Sequence, residues 1–88
     1  MKLEDFITYV STKGGNTRYI PPINEEQFEQ IVLLIKKSKT IKKKMNSSDK
    51  ASFGLVGNFL ILEECCKAFQ VKRLNMWFII KELQILLK

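Results

Sequence analysis

The sequence predicts an all-α fold, a compact bundle of about four helices forming one domain over residues 1–88. Three observations carry that expectation. Apolar residues recur at the three-to-four-residue spacing of an amphipathic helix in four separate segments. Pro21-Pro22 and the polar run Asn46-Ser47-Ser48-Asp49 punctuate them. Finally, 88 residues can support one core, and 45% hydrophobic residues with six Phe and one Trp are enough to fill it. Because so short a chain is marginally stable alone, a partner subunit would help it.

In the first segment Leu3, Phe6, Ile7 and Val10 fall on one helical face, which ends at Gly14-Gly15. A hairpin is the alternative, since Ile7 to Thr12 is rich in β-forming residues and Lys13-Gly14-Gly15-Asn16 suits a turn into Thr17 to Ile20. After the two prolines, Asn24 and Gln27 have the spacing of a capping box that opens a second helix. Phe28, Ile31, Val32, Ile35 and Ser38 give that helix a core face. Its glutamates (Glu25, Glu26 and Glu29) lie at the positive end of the helix dipole and its lysines at the negative end. The helix is expected to fray into a basic loop among those lysines.

The polar stretch Met45 to Lys50 separates the second helix from a third, with Ser and Asp side chains available as caps, and the third runs to about Phe69. It has two candidate core stripes, one of Leu55, Phe59, Leu62, Cys66 and Phe69 and another of Phe53, Val56 and Leu60. Its first half is therefore expected to be buried on both sides. Gly54 and Gly57 are expected to permit close approach of a neighbouring backbone, with a kink as the alternative. A fourth helix, from about Arg73 to Lys88, sets Met76, Ile79, Ile80, Leu83, Leu86 and Leu87 on a core face. A break near Gln70 is preferred to one continuous helix over residues 49–88, a length typical of coiled coils.

The fourth helix has a second apolar side, formed by Leu74, Phe78 and Ile85 and flanked by Trp77. An 88-residue monomer covers both sides only if other helices lie on each of them, so these four residues are a candidate protein interface and a homodimer is expected.

Charge is the most uneven property of the chain. Residues 1–35 sum to −2, residues 36–50 to +6 and residues 51–88 to +2. Lys36, Lys37, Lys39, Lys42, Lys43 and Lys44 form the basic block and are the candidate nucleic-acid contacts. Neutralising phosphates releases counterions, so binding through such a block is expected to depend steeply on salt. A solvated, solubilising helix end accounts for the same pattern when no aromatic residues interleave it. Asn46 could add a hydrogen bond to a phosphate or base edge. Cys66, Phe69, Val71, Met76 and Ile79 also match, weakly, the spacing of a helix-turn-helix. Gln70 stands where glycine is usual, and Trp77 and Phe78 are poor major-groove readers. Arg18 and Tyr19 form a loop pair with a binding-site flavour, against the simpler reading that Tyr19 packs over the first helix.

Catalysis has little to build on. There is no histidine, no phosphate-cradling glycine loop, and no nucleophile beside an evident base. Glu25-Glu26 and Glu63-Glu64 are sequence neighbours that point about 100° apart on a helix, which is wrong for an acid/base pair. Cys65 and Cys66 are adjacent, unsuited to a relaxed disulfide, and too few for a closed zinc site. No enzyme activity, metal or cofactor is expected. Lys2, Glu4 and Asp5 follow Met1 in place of a secretory leader, and the longest uncharged stretch, Ala51 to Leu62, is twelve residues. A cytoplasmic protein without a membrane span is expected.

The leading functional expectation is a small nucleic-acid-binding accessory or regulatory protein. The alternative is a helical protein-binding module, an adaptor or inhibitor acting through the fourth helix, and a remote third is contact with anionic lipid headgroups. The richness in Lys, Ile and Asn is of the kind found in AT-rich genomes and in accessory proteins of phages or mobile elements, although no motif carries that impression.

Overall fold

A computed structural model describes residues 1–13 and 19–87, apart from the side chains at positions 54 and 55. Four helices follow one another: α1 (Leu3–Lys13), α2 (Glu25–Lys43), α3 (Ser47–Phe69) and α4 (Arg73–Leu86). They make a compact all-α bundle with extents of 41 × 26 × 20 Å.

Ile7 to Thr12 is helical, which removes the hairpin alternative for this stretch. Burial of Phe6 and Val10 outweighs the β preference of their neighbours. The Thr8 and Thr12 hydroxyls donate back to the carbonyls of Glu4 and Thr8, at 3.1 and 2.8 Å, so both polar groups are satisfied within the helix. The proposed Gly14–Asn16 turn and Arg18 lie outside the described residues.

The start of α2 follows the sequence closely. The Asn24 side chain accepts from the Gln27 backbone N–H at 2.8 Å, while Gln27 accepts from the Asn24 N–H at 3.0 Å, which completes the capping box. The Leu3 N–H donates to the Glu25 carboxylate at 2.9 Å and fastens the start of α1 to this end. At its other end α2 does not fray. It remains helical through the lysines to Lys43 and closes at Lys44, whose N–H donates to the Ile41 carbonyl. Lysine is a good helix former, and a helix C-terminus favours cations.

Asn46, rather than the serines or Asp49, caps α3, accepting from the Asp49 N–H at 2.8 Å. The helix ends at Gln70, which is left-handed at φ 55°, a backbone state that glycine adopts more easily. The expected break is therefore present. Gln84 donates from its side-chain amide to the Asn58 carbonyl oxygen at 2.8 Å, although each lies about twelve residues, or roughly 18 Å of helix, from the turn. A helix-turn-helix crossing at about 90–120° would hold such residues roughly 20 Å apart. The α3–α4 pair is instead an antiparallel hairpin.

The core joins Phe6 of α1, Phe28, Ile31 and Ile35 of α2, Cys65 of α3, and Met76, Ile79, Ile80 and Leu83 of α4, all fully buried. The rings of Phe6 and Phe28 meet at a centroid distance of 5.3 Å. The expected face of α4 is the observed one, with Leu86 and Leu87 at its partly buried edge. The expectation for α3 holds at Leu62, which is buried, and at Phe53, Cys66 and Phe69, which are partly buried, but is corrected at Val56, Phe59 and Leu60; Leu55 lies outside the described side chains. Ile61, Leu62 and Cys65 are buried together with Gly57, whereas Val56, Phe59 and Leu60 are each more than half exposed. Gly57 faces Ser38 of α2 on this buried side. A Cβ placed there would stand 3.5 Å from the Ser38 hydroxyl and 3.6 Å from the Phe53 ring, so side chains, not backbone, are its nearest neighbours.

Two substitutions test this local account. Gly57→Ala adds a methyl group at ordinary contact distance and removes a helix-interior glycine, so it is expected to stabilise the fold by about 0.5–1 kcal/mol. Asn24→Ala is expected to cost about 1 kcal/mol through loss of the cap. Urea midpoints that move in opposite directions, at equal slope, are the expected result.

Candidate functional site

Burial along α2 stops at Ile35, and the helix continues for two further turns that carry the lysine block beyond the core. Lys36, Lys37, Lys42, Lys43 and Lys44 are exposed. Lys39 is turned inward, and its ammonium donates to the Leu87 carbonyl at 2.5 Å and to the Gln84 carbonyl at 3.4 Å. These carbonyls belong to the last turn of α4, the negative end of its dipole, so Lys39 serves the fold by fastening α4 to α2.

Between the end of α2 and the start of α3 lies an open cleft of about 210 Å³, lined by Lys39, Lys42, Lys43 and Lys50. Its walls are largely lysine methylene stems. Lys50 stands on the first turns of α3 and joins the cluster through the α2–α3 connection. Sequence reasoning counted its charge in the basic segment but did not place it in the site, because only the hairpin geometry brings it opposite Lys42 and Lys43. Among the described residues the ion pairs are Lys13–Glu82, at 3.0 Å, and Arg73–Glu63. Neither involves Lys36, Lys37, Lys42, Lys43 or Lys44. Asn46 is occupied as the α3 cap and has no evident role in reading a base.

The second candidate surface is on α4. Leu74, Trp77, Phe78 and Ile85 are all exposed, Leu74 at 84%. Phe78 also makes an edge-to-face contact with Tyr19, at a centroid distance of 5.0 Å, so part of its ring serves the chain's own packing. This contact fits the simpler reading of Tyr19, as a residue that packs within the domain. The structure adds Val56 and Phe59 of α3 to the exposed apolar set. Arg73 bridges the two helices, with its guanidinium 5.7 Å from the centre of the Phe59 ring and hydrogen-bonded to Glu63. Farther along, Asn58, Trp77, Lys81, Gln84 and Ile85 border an α3–α4 cleft of about 270 Å³. Periodicity alone assigned Val56 and Phe59 to the core, so sequence reasoning missed them here.

Burial pushes the Cys65 thiol up to about 11, with the Glu64 carboxylate and Cys66 adding to the rise. Cys66 is raised as well, chiefly by burial, although the Arg73 charge pulls the other way. Neither has the electropositive, accessible setting that activates a thiolate. Among the described residues no three His, Cys, Asp or Glu side chains converge in the manner of a metal site, and no helix is long and apolar enough to cross a membrane. No protein-family model matches this chain, and comparison with curated proteins and with solved structures finds no match.

The two adjacent thiols should differ in reactivity. At pH 8 iodoacetamide is expected to label the half-buried Cys66 first, while Cys65, buried and titrating near 11, reacts at a comparable rate only in denaturant. Peptide mapping by mass spectrometry after timed quenching distinguishes the two sites.

Proposed function

We propose that this chain is a small, non-catalytic accessory or regulatory protein that binds nucleic acid, DNA or RNA, through its phosphate backbone. The carrying observation is the lysine-lined cleft at the α2–α3 connection, flanked by Lys36, Lys37 and Lys44; among the described residues neither ion pair involves Lys42, Lys43 or Lys50. Clustered ammonium groups repel one another, and a phosphate placed among them relieves that repulsion while releasing its counterions. Lysine acts here as a point charge without the planar fork of arginine, so the block positions the protein and contributes little sequence preference. Action in the cytoplasm, where nucleic acid is accessible, belongs to this reading.

A second reading is supported by a separate observation, the exposure of Leu74, Trp77, Phe78 and Ile85 along one helix. In it the chain is a helical protein-binding module, an adaptor or inhibitor, or a homodimer. The lysines then steer encounter and maintain solubility.

Fluorescence anisotropy with a labelled duplex and a labelled single strand, over a salt series beginning near 50 mM, tests the first reading. The logarithm of affinity is expected to fall linearly with the logarithm of salt concentration. The triple variant Lys42→Gln, Lys43→Gln, Lys44→Gln should flatten the duplex slope by about 0.9 for each contact removed, with circular dichroism unchanged. An absence of binding at the lowest salt, or an unaltered slope in the folded variant, overturns the reading.

A further inference from the structure

The register of α2 divides the basic block. Successive residues of an α-helix point about 100° apart, so Lys39, Lys42 and Lys43 fall within roughly 100° of arc on one side of α2. Those three line the cleft of about 210 Å³ that they share with Lys50. Lys37 and Lys44 fall on the other side, roughly 150–170° from the middle of that arc, and neither lines the cleft. Lys36 lies near the edge of the arc, about two turns of helix before Lys43.

Lys50 brings a charge to the cleft from a second helix. It is half-buried, whereas Lys42 and Lys43 are exposed, and among the described residues its ammonium has no hydrogen bond or ion pair. No acidic side chain of the described residues lines the cleft; Asp49, in the first turn of α3, is exposed and outside it. Lys39 contributes its stem, while its ammonium is bound to the Gln84 and Leu87 carbonyls of α4. Three other ammonium groups, from two helices, therefore border one open volume. That volume is below the roughly 300–1,000 Å³ of pockets that enclose a drug-sized ligand, so it suits an anionic group carried on a larger molecule. A phosphodiester of a nucleic-acid strand is such a group.

We infer that the cleft is the gripping element of the block: a phosphodiester backbone is held from two sides, by Lys42 and Lys43 of α2 and Lys50 of α3, while Lys37 and Lys44 stay outside the contact. This inference rests on the reading of the chain as a nucleic-acid binder and adds which lysines make the contact. Exposed charges farther apart than a Debye length are largely screened, and that length is about 10 Å at 0.1 M salt, close to the diameter of a helix with its side chains. Lys37 and Lys44 therefore add little to the binding of a phosphate on the far side of α2.

Two double variants of the full chain remove equal charge from the two sides: Lys42→Gln with Lys43→Gln, and Lys37→Gln with Lys44→Gln. Fluorescence anisotropy with a labelled single strand and a labelled duplex, at about 0.1 M salt, compares them. The cleft-side pair is expected to weaken binding at least about tenfold and the outer pair less than about threefold. Lys50→Met keeps the apolar stem and removes the charge, so it is expected to weaken binding about tenfold by itself, with Lys50→Arg restoring it. Far-ultraviolet circular dichroism should be unchanged throughout, and the two double variants decide the matter by themselves where Lys50→Met does not fold. Equal losses from the two double variants, or undiminished binding by folded Lys50→Met, overturn the inference and leave a diffuse basic surface as the binding element. A wild type that binds neither probe even at about 50 mM salt overturns the proposed function, and this inference with it.

Discussion

Burial of the α2 face that carries Phe28, Ile31, Val32 and Ile35 is the interaction on which the other three helices depend. An isolated helix of this length is marginal in water, and α2 is held by what packs on it. Phe6 of α1 lies against Phe28, α3 brings Gly57 to Ser38, and α4 lays Met76, Ile79, Ile80 and Leu83 into the remaining space. Full burial of one such side chain contributes about 1.5–3 kcal/mol, so a few of them are comparable with the whole net stability of a small domain. The other helices can shift only if this face is reopened.

The functional geometry follows from where that burial stops. α2 does not end with its core face but continues two turns beyond Ile35, and residues there cannot be lysine and be buried without partners. Its own dipole favours cations at this end, and Lys39 gains carbonyl partners on α4. These interactions sustain the helix, yet they do not cancel the repulsion among Lys36, Lys37, Lys42, Lys43 and Lys44. An extended loop would have spread those charges apart, whereas the rigid helix holds them close. Keeping this segment helical concentrates positive potential there, and under the proposed function a polyanion would relieve it.

The sequence was legible where a signal is local or has no competitor. Asn24 and Gln27 needed only each other, and the face of α4 through Met76, Ile79, Ile80 and Leu83 has the pattern of a buried stripe. The break after Phe69 was also foreseen, although Gln70 takes a conformation for which its side chain gives little warning. On α3 the reading held at Leu62 but failed at Val56, Phe59 and Leu60, for a definable reason. The helix is apolar on several sides, so periodicity offers more than one stripe. The stripe that is buried passes through Gly57, a residue that contributes no hydrophobic signal. Fraying was expected of the lysine block because its lysines are too many for one side of a helix and Lys42 interrupts the apolar stripe, and the stabilising contact from Lys39 to α4 joins residues 45 and 48 positions apart. No local pattern encodes such a contact. The two lysine arms of the cleft, Lys42 with Lys43 and Lys50, likewise meet only through the hairpin that Asn46 caps.

The failure on α3 and the uncovered face of α4 have a common cause. Together these helices carry more apolar side chains than the single face of α2 and the short α1 can cover. A core of fixed size must therefore choose among stripes. On α3 the side with Gly57, Ile61, Leu62 and Cys65 faces the core and Val56 and Phe59 are outward. On α4 the choice leaves Leu74, Trp77 and Ile85 outward, and Arg73 joins the two leftovers by covering Phe59 while pairing with Glu63. Scattered exposed apolar residues are ordinary on any surface, but a set concentrated on adjacent helices is not. The residues that made α3 hard to read from sequence are thus the ones left on its exposed side.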